Sequence, residues 1–239
     1  MTFKTLLGIA DQMYNATDPD AVFDTFLDYA KGLGLDFLFI GRWGFMLSHP
    51  QGEPQFFRSN MPEWAKVYFD NGYIHIDPCI HLAMRINRAF FYKEAFVDLT
   101  PAQEKFVKDA REHGMVDGFV VPIHRRLGAP GAVTMGAKAP LDISKIDCLR
   151  LEMLSHMAYG VIDELQGTDQ QLQIMRLTDR ERTVLTLVAR GKTNWEIGAI
   201  LSISEYSVRD YLKTLSKQLE TANRTHTVVR AMQLGLISP

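Results

Sequence analysis

Trp64, Tyr68 and Asp77 have side-chain types that could hold a small amide. A carboxylate in an apolar surround accepts an N–H in a charge-assisted hydrogen bond, which is stronger than one to a neutral acceptor. Tyr68 lies one helical turn beyond Trp64, so its hydroxyl could donate to the carbonyl of the same amide while the indole forms a flat apolar wall. Thr134 could bond to the same polar centre, and Phe39 and Trp43 could line an apolar extension. Each residue also has a plainer reading. Trp64 and Tyr68 could be core packing, Asp77-Pro78 an N-cap before a helix-initiating proline, and Thr134 a β-branched strand filler. Cys79 reads as a small core or cavity-side residue.

A second chemistry is concentrated at the other end of the chain. Residues 176–239 hold ten basic and six acidic side chains, a net +4. The overall charge is −2, so residues 1–175 carry −6. Opposite signs on the two parts suggest separate partners, with phosphate as the candidate for the basic one. A helix opening at Ser204 would carry Glu205, Tyr206, Ser207, Arg209, Asp210, Lys213 and Lys217 on its polar face. Arginine there could read guanine through a bidentate contact, and the lysines could meet phosphates. A charged helical face turned only to water gives the same pattern.

Catalytic and metal chemistry find no support. The sequence has no Gly-x-Ser-x-Gly elbow, no His-Glu-x-x-His, no Cys-x-x-Cys and no phosphate-binding glycine loop. His75 and His81 lack a ligand spacing on one helical face. No run reaches the roughly 18 apolar residues of a membrane span. Asp11 ends the Leu6-Leu7-Gly8-Ile9-Ala10 run before any cleavage-type site, so no secretory leader is expected. Cys79 and Cys148 make no disulfide framework and fit a reducing, cytoplasmic setting.

The elements that must position these residues can be read from punctuation and period. With 46% hydrophobic residues among 239, the chain can build a core, and its length suits one large domain or two unequal ones. Asp18-Pro19 opens a helix running to about Gly32 or Gly34. Phe37 to Trp43 reads as a strand with Gln55 to Arg58 beside it. Thr100-Pro101-Ala102-Gln103 is a capping box for a helix ending at Gly114. Val116 to His124 and Ala132 to Lys138 form a strand pair around Gly128-Ala129-Pro130-Gly131, and Ile143 to Leu165 is a long amphipathic helix. The glutamine-rich stretch 166–175 reads as a linker between a domain of residues 1–165 and one of 176–239. The first is α+β, an α/β/α sandwich around an antiparallel sheet. The second is all-α with four helices. Thr178-Asp179-Arg180-Glu181 caps the first of them, and the second starts near Thr193-Asn194 and buries Ile197, Ile200 and Leu201. Ser204 caps the third, with Val208, Leu212, Leu215 and Leu219 on one face, and the fourth packs Val228, Val229 and Met232. Two short helices joined at Ser202-Ile203 specify a helix-turn-helix.

The segments Leu177 to Glu181, Ala189 to Ile197 and Ile203 to Arg209 resemble the LuxR-type helix-turn-helix, with Thr183 and Gln218 departing from the usual glutamate and lysine. Upstream, Trp64-Ala65-Lys66-Val67-Tyr68, Tyr73 and Asp77-Pro78 resemble the pocket motif of the autoinducer-binding domain of quorum-sensing LuxR regulators. So do Gly114 to Gly118 leading into Val121 to His124, and Gly131 to Thr134. The resemblance implies a ligand-responsive transcriptional regulator, not an enzyme, with no cofactor and no metal. Its implied partners are an N-acyl homoserine lactone, double-stranded DNA, a second copy of the chain and RNA polymerase, with no membrane. Trp64, Tyr68, Asp77, Thr134, Phe39 and Trp43 would contact the lactone. Tyr92 would join them, standing where the family commonly has a tryptophan that bonds the ring carbonyl. Thr193, Asn194, Ser204, Ser207, Arg209, Lys213 and Lys217 would face DNA. Met153, Met157 and Val161 are the expected sensor-domain dimer seam, with Val229 and Met232 a smaller one. The alternatives are a regulator that needs no ligand or senses a non-lactone, or an anti-activator that forms heterodimers.

Overall fold

The computed structural model describes residues 3–42, 57–124, 130–166, 177–234 and 236–237. Trp43, the Gly128-Ala129 part of the expected turn, Gln55 and nearly all of the expected linker lie outside the described residues. The remainder forms two compact units, one of residues up to 124 and from 130 to 166, the other from residue 177 onward.

In the first unit the strands are β1 (Phe37–Arg42), β2 (Phe57–Ser59), β3 (Phe90–Phe91), β4 (Asp117–Ile123) and β5 (Gly131–Ala137). They pair antiparallel in the order β2-β1-β5-β4-β3. One register row crosses the sheet through Ser59, Phe39, Thr134, Val120 and Phe90. Because side chains alternate along a strand, this row and its neighbours divide the sheet into two faces. Leu38, Ile40, Phe119, Val121, Val133 and Met135 point to one face. There they pack against α1 (Phe3–Tyr14), α2 (Pro19–Lys31) and the long α7 (Lys145–Leu165). The other face carries Phe37, Phe39, Val120, Ala132 and Thr134. It is covered by α3 (Pro62–Asp70), a 3-10 turn at Tyr73–His75, α4 (Pro78–Ala83), α5 (Tyr92–Ala95) and α6 (Pro101–Glu112). The α/β/α sandwich expected from the sequence is therefore present.

Local chemistry starts and stops these helices as expected. Asp18 accepts from Asp20 N ahead of Pro19, and Thr100 with Gln103 forms a reciprocal capping box. The helix α1 is an addition; its stripe of Leu6 and Met13 is short and falls before any clear cap. Arg42 at the end of β1 is ion-paired with Asp163 in the last turn of α7, with side chains 10% and 0% exposed. The residues expected to form a dimer seam on α7 differ in exposure. Met153 is exposed, in register with Ile146 and Leu149, whereas Met157 and Val161 pack against the core.

The second unit is all-helical: α8 (Asp179–Ala189), α9 (Asn194–Leu201), α10 (Glu205–Gln218) and α11 (Arg224–Gln233). Leu185, Leu215, Leu219 and Ala231 form one core cluster, and Val184, Val188, Ile197 and Val208 another. Ile200 and Val229 were expected to be buried, but both are exposed. Each lies at the edge of its helix's apolar stripe, where period alone cannot tell core from rim. At Gly198, an added Cβ would stand 2.7 Å from the Ile203 carbonyl oxygen. Only glycine lets α9 approach the turn so closely.

Candidate functional site

The helical layer over the second sheet face does not close tightly against the strands. A cavity of about 100 Å³ remains beneath it, lined by Phe39, Trp64, Tyr68, Asp77, Tyr92 and Thr134 among others. Six of the seven residues expected to form a pocket thus meet at one cavity, and the seventh, Trp43, is not described. Much of the remaining wall comes from residues the sequence reading did not single out, among them Arg42, Phe96, Phe106, Val107 and Ala110. The signal for three of these was the apolar face of α6, with Phe106, Val107 and Ala110 at helical spacing, which looked like ordinary core.

Position follows from local structure. Pro62 starts α3, which puts Trp64 and Tyr68 on its inner face with rings 6.1 Å apart in an edge-to-face pair. Trp64 also packs on Tyr73, Phe106 and His113. Tyr73 seals this corner: its ring is buried, and its hydroxyl accepts from Lys105 Nζ at 2.8 Å and donates to Asp109.

Asp77 caps a helix and also lines the cavity. Its Oδ1 accepts from the Cys79 amide at 2.7 Å and caps α4, while Oδ2 accepts from the Tyr68 hydroxyl at 2.9 Å. The Tyr68 proton is thus directed at Asp77 and not out toward a carbonyl. Burial raises the Asp77 pKa above its ordinary 3.8, against the lowering hydrogen bonds from Tyr68 and the Cys79 and Ile80 amides and the nearby His81 charge. The same burial, reinforced by the Asp77 charge, raises the Tyr68 hydroxyl and Cys79 thiol pKa values well above normal, so both stay protonated.

Tyr92 lies against Gly118 of β4. A Cβ at Gly118 would stand 2.3 Å from the Tyr92 ring, so the glycine is what admits this side chain to the cavity wall. The Trp64 indole N–H, the Tyr92 hydroxyl and the Thr134 hydroxyl make no hydrogen bond to any described residue. The cavity lining therefore includes a carboxylate acceptor and three residues with donor groups and, apart from Arg42, is mostly apolar elsewhere. That arrangement suits a guest with one N–H, several acceptor oxygens and an apolar remainder. Among the described residues no cluster of His, Cys, Asp or Glu could hold a metal ion.

The second site is on α10. Val208 and Leu215 are buried, while Tyr206, Arg209, Asp210, Lys213 and Lys217 are exposed on the opposite side. The Ser204 hydroxyl accepts from the Ser207 amide at 3.0 Å and contacts the Ser207 hydroxyl at 2.8 Å. Arg209 pairs with Glu205 at 3.2 Å. Thr193 forms a capping box with Glu196, whose pKa is pushed down to about 2, chiefly by the Thr193 amide. Asn194 accepts from Arg224 at 2.6 Å, which ties the start of α9 to α11. The side chains of Thr193, Asn194, Ser204 and Ser207 are thus committed to building helix starts. Lys213 and Lys217 make no ion pair with a described residue.

Two family models match the chain: an autoinducer binding domain over residues 18–162, and the bacterial regulatory proteins of the luxR family over residues 175–231. The transcriptional activator protein BjaR1 of Bradyrhizobium diazoefficiens is 32% identical over 178 residues, covering 74% of this chain and 73% of the relative. The transcriptional activator protein LuxR of Aliivibrio fischeri is 30% identical over 189 residues, covering 75% and 74%. Among solved structures, Escherichia coli SdiA has the same fold, with a TM-score of 0.75 and 23% identity over 99% of both chains. The N-acylhomoserine lactone dependent factor CepR2 of Burkholderia cenocepacia gives a TM-score of 0.55 and 26% identity, covering 68% of this chain and 96% of that one. The chain belongs to the LuxR family of quorum-sensing transcriptional regulators, with an autoinducer-binding domain followed by a helix-turn-helix DNA-binding domain.

Proposed function

We propose that the sensor domain binds an N-acyl homoserine lactone and that the ligand-bound protein, as a dimer, binds promoter DNA and acts on transcription with RNA polymerase in the cytoplasm. The family is one of transcriptional regulators and not of enzymes. The observation that carries the ligand assignment is the buried Asp77 carboxylate on the lining of a largely apolar cavity. A lactone's amide N–H would donate to Asp77, its carbonyls would take the Trp64, Tyr92 and Thr134 donors, and its acyl chain would lie along Phe39 and the α6 face. Each buried methylene contributes about 0.8 kcal/mol, so a chain of several carbons supplies the affinity.

Binding that favours the folded sensor stabilises it by mass action, which couples ligand to the amount of active protein. The exposed Ile146, Leu149 and Met153 support pairing of two copies through α7, and a two-fold dimer would present two α10 helices to half-sites about one DNA turn apart. In this reading the sensor is residues 1–165, the linker 166–175 and the DNA-binding domain 176–239. Tyr92 favours a second reading, a regulator tuned to a ligand other than a simple lactone, because a phenol reaches the ring carbonyl from a different direction than an indole.

The test is expression of the full chain with a panel of N-acyl homoserine lactones of short, medium and long chains. Soluble yield and melting temperature are compared with a lactone-free culture, and co-purifying small molecules are identified by mass spectrometry. A rise in melting temperature with one class, and its recovery from the protein, supports the reading. An unchanged melting temperature across the panel, with equal DNA binding in its absence, overturns it in favour of a ligand-independent regulator or heterodimerising anti-activator.

A further inference from the structure

In a helix-turn-helix the first turns of the second helix go deepest into the major groove, so their free side chains decide what is read there. On α10 those side chains are largely occupied. Ser204 and Ser207 bond each other and the helix start, and Glu205 and Arg209 form an ion pair. Tyr206 and Asp210 are the exceptions: neither makes a hydrogen bond or ion pair with a described residue, and Tyr206, nearer the leading end, is 75% exposed. It shares its helix face with Arg209, Asp210, Lys213 and Lys217, so the face combines a net positive charge, carried chiefly by the two unpaired lysines, with one aromatic ring at its leading end. A duplex fits that combination, with phosphates for the lysines and a groove edge for the ring. The apolar group that a major-groove edge offers is the thymine C5 methyl.

We infer that Tyr206 is a specificity-determining residue whose ring packs on a thymine methyl in each half-site. This inference rests on the DNA-binding reading above. The phenol ring provides the contact, and its hydroxyl stays at the wet edge of the groove.

The test uses the full chain produced with the lactone panel. Duplexes enriched from a randomised pool are resynthesised with deoxyuridine in place of each thymine in turn. At one thymine per half-site, loss of the methyl is expected to weaken wild-type binding roughly fourfold, the worth of one buried methyl-sized group. Tyr206→Phe should show the same sensitivity. Tyr206→Ala should show none, with an unchanged melting curve, and should bind the thymine site as weakly as the wild type binds the uridine one. The inference is overturned by a Tyr206→Ala protein that keeps the methyl preference, or by one that loses affinity equally on every sequence. It is also overturned by a uridine scan silent at every position of a bound site. A wild type that enriches no duplex under any condition overturns the DNA-binding reading itself, an outcome distinct from a bound site with no methyl effect.

Discussion

Tyr68 donates its hydroxyl proton to Asp77 across 2.9 Å, so the two residues expected to meet different ends of an amide meet each other first. The bond orients the carboxylate: one oxygen faces the α4 amide, the other faces Tyr68 and the cavity. A guest N–H must therefore approach an oxygen that already has one donor, which a carboxylate oxygen, with two lone pairs, allows.

Asp77→Asn keeps an oxygen for the helix cap but replaces the other acceptor by an amide nitrogen. Lactone affinity is expected to fall by about 1.5–3 kcal/mol, roughly 10- to 150-fold, with the fold intact. Isothermal titration of the purified variant, beside its circular dichroism spectrum, measures both; equal affinity for the two proteins would remove Asp77 from the binding role.

The raised Asp77 pKa gives a pH dependence of definite sign. The folded protein holds this proton more tightly than the unfolded chain, so the stability of the unliganded sensor falls as pH rises from about the ordinary 3.8 through the raised value, then levels. Lactone affinity runs the other way, rising over the same window as the carboxylate ionises to accept the N–H. Tyr68→Phe removes a lowering hydrogen bond, so both transitions should move to higher pH. Melting and binding titrations across the acid range check the two slopes, and a Tyr68→Phe profile superimposed on wild type would contradict the assignment.

Much of this site was legible in advance because its signals were local. Asp77-Pro78 marks a cap whichever role the carboxylate has, and Trp64 with Tyr68 shares a helix face by spacing alone. The strand row that places Phe39 beside Thr134 follows from alternation once the two strands are recognised. What stayed hidden was tertiary. No spacing relates Tyr68 to Asp77 through a hydrogen bond, and the α6 residues that finish the wall carry the same apolar pattern as any core helix. The differing exposure of the residues expected as a seam on α7 was hidden for a related reason. Met153, Met157 and Val161 share a stripe, but the sheet covers only part of its width.

Gly118→Ala would place a methyl group against both the Tyr92 ring and the Met135 carbonyl oxygen, at 2.3 and 2.5 Å. The ring can swing away and the backbone cannot, so overpacking should cost about 1–3 kcal/mol and displace Tyr92 from the cavity wall. Denaturant melts read the first effect. Near-ultraviolet circular dichroism and a lowered lactone affinity read the second, and an alanine variant with wild-type stability would show the contact to be looser than described.

Arg42 and Asp163 join the end of β1 to the last turn of α7 as a buried pair. Asp163→Ala leaves a guanidinium without that partner in a poorly hydrated place, and the sensor domain is expected to lose about 3–5 kcal/mol. The double variant Arg42→Met with Asp163→Leu should recover much of the loss, since an apolar pair of similar volume avoids both desolvation penalties. Chemical denaturation of the three proteins decides it; equal stability of single and double variants would mean that the charge pair is not the cause.

The register row through Ser59, Phe39, Thr134, Val120 and Phe90 makes the cavity's floor a stitched fabric, in which moving one side chain's backbone drags four neighbours with it. The helices that roof it are separate elements of 12 residues or fewer, held by packing more than by shared main-chain bonds. Divergence in guest preference between such receptors should therefore accumulate in the canopy, where a changed side chain can be absorbed by tilting one short helix, while the woven base is inherited almost unaltered.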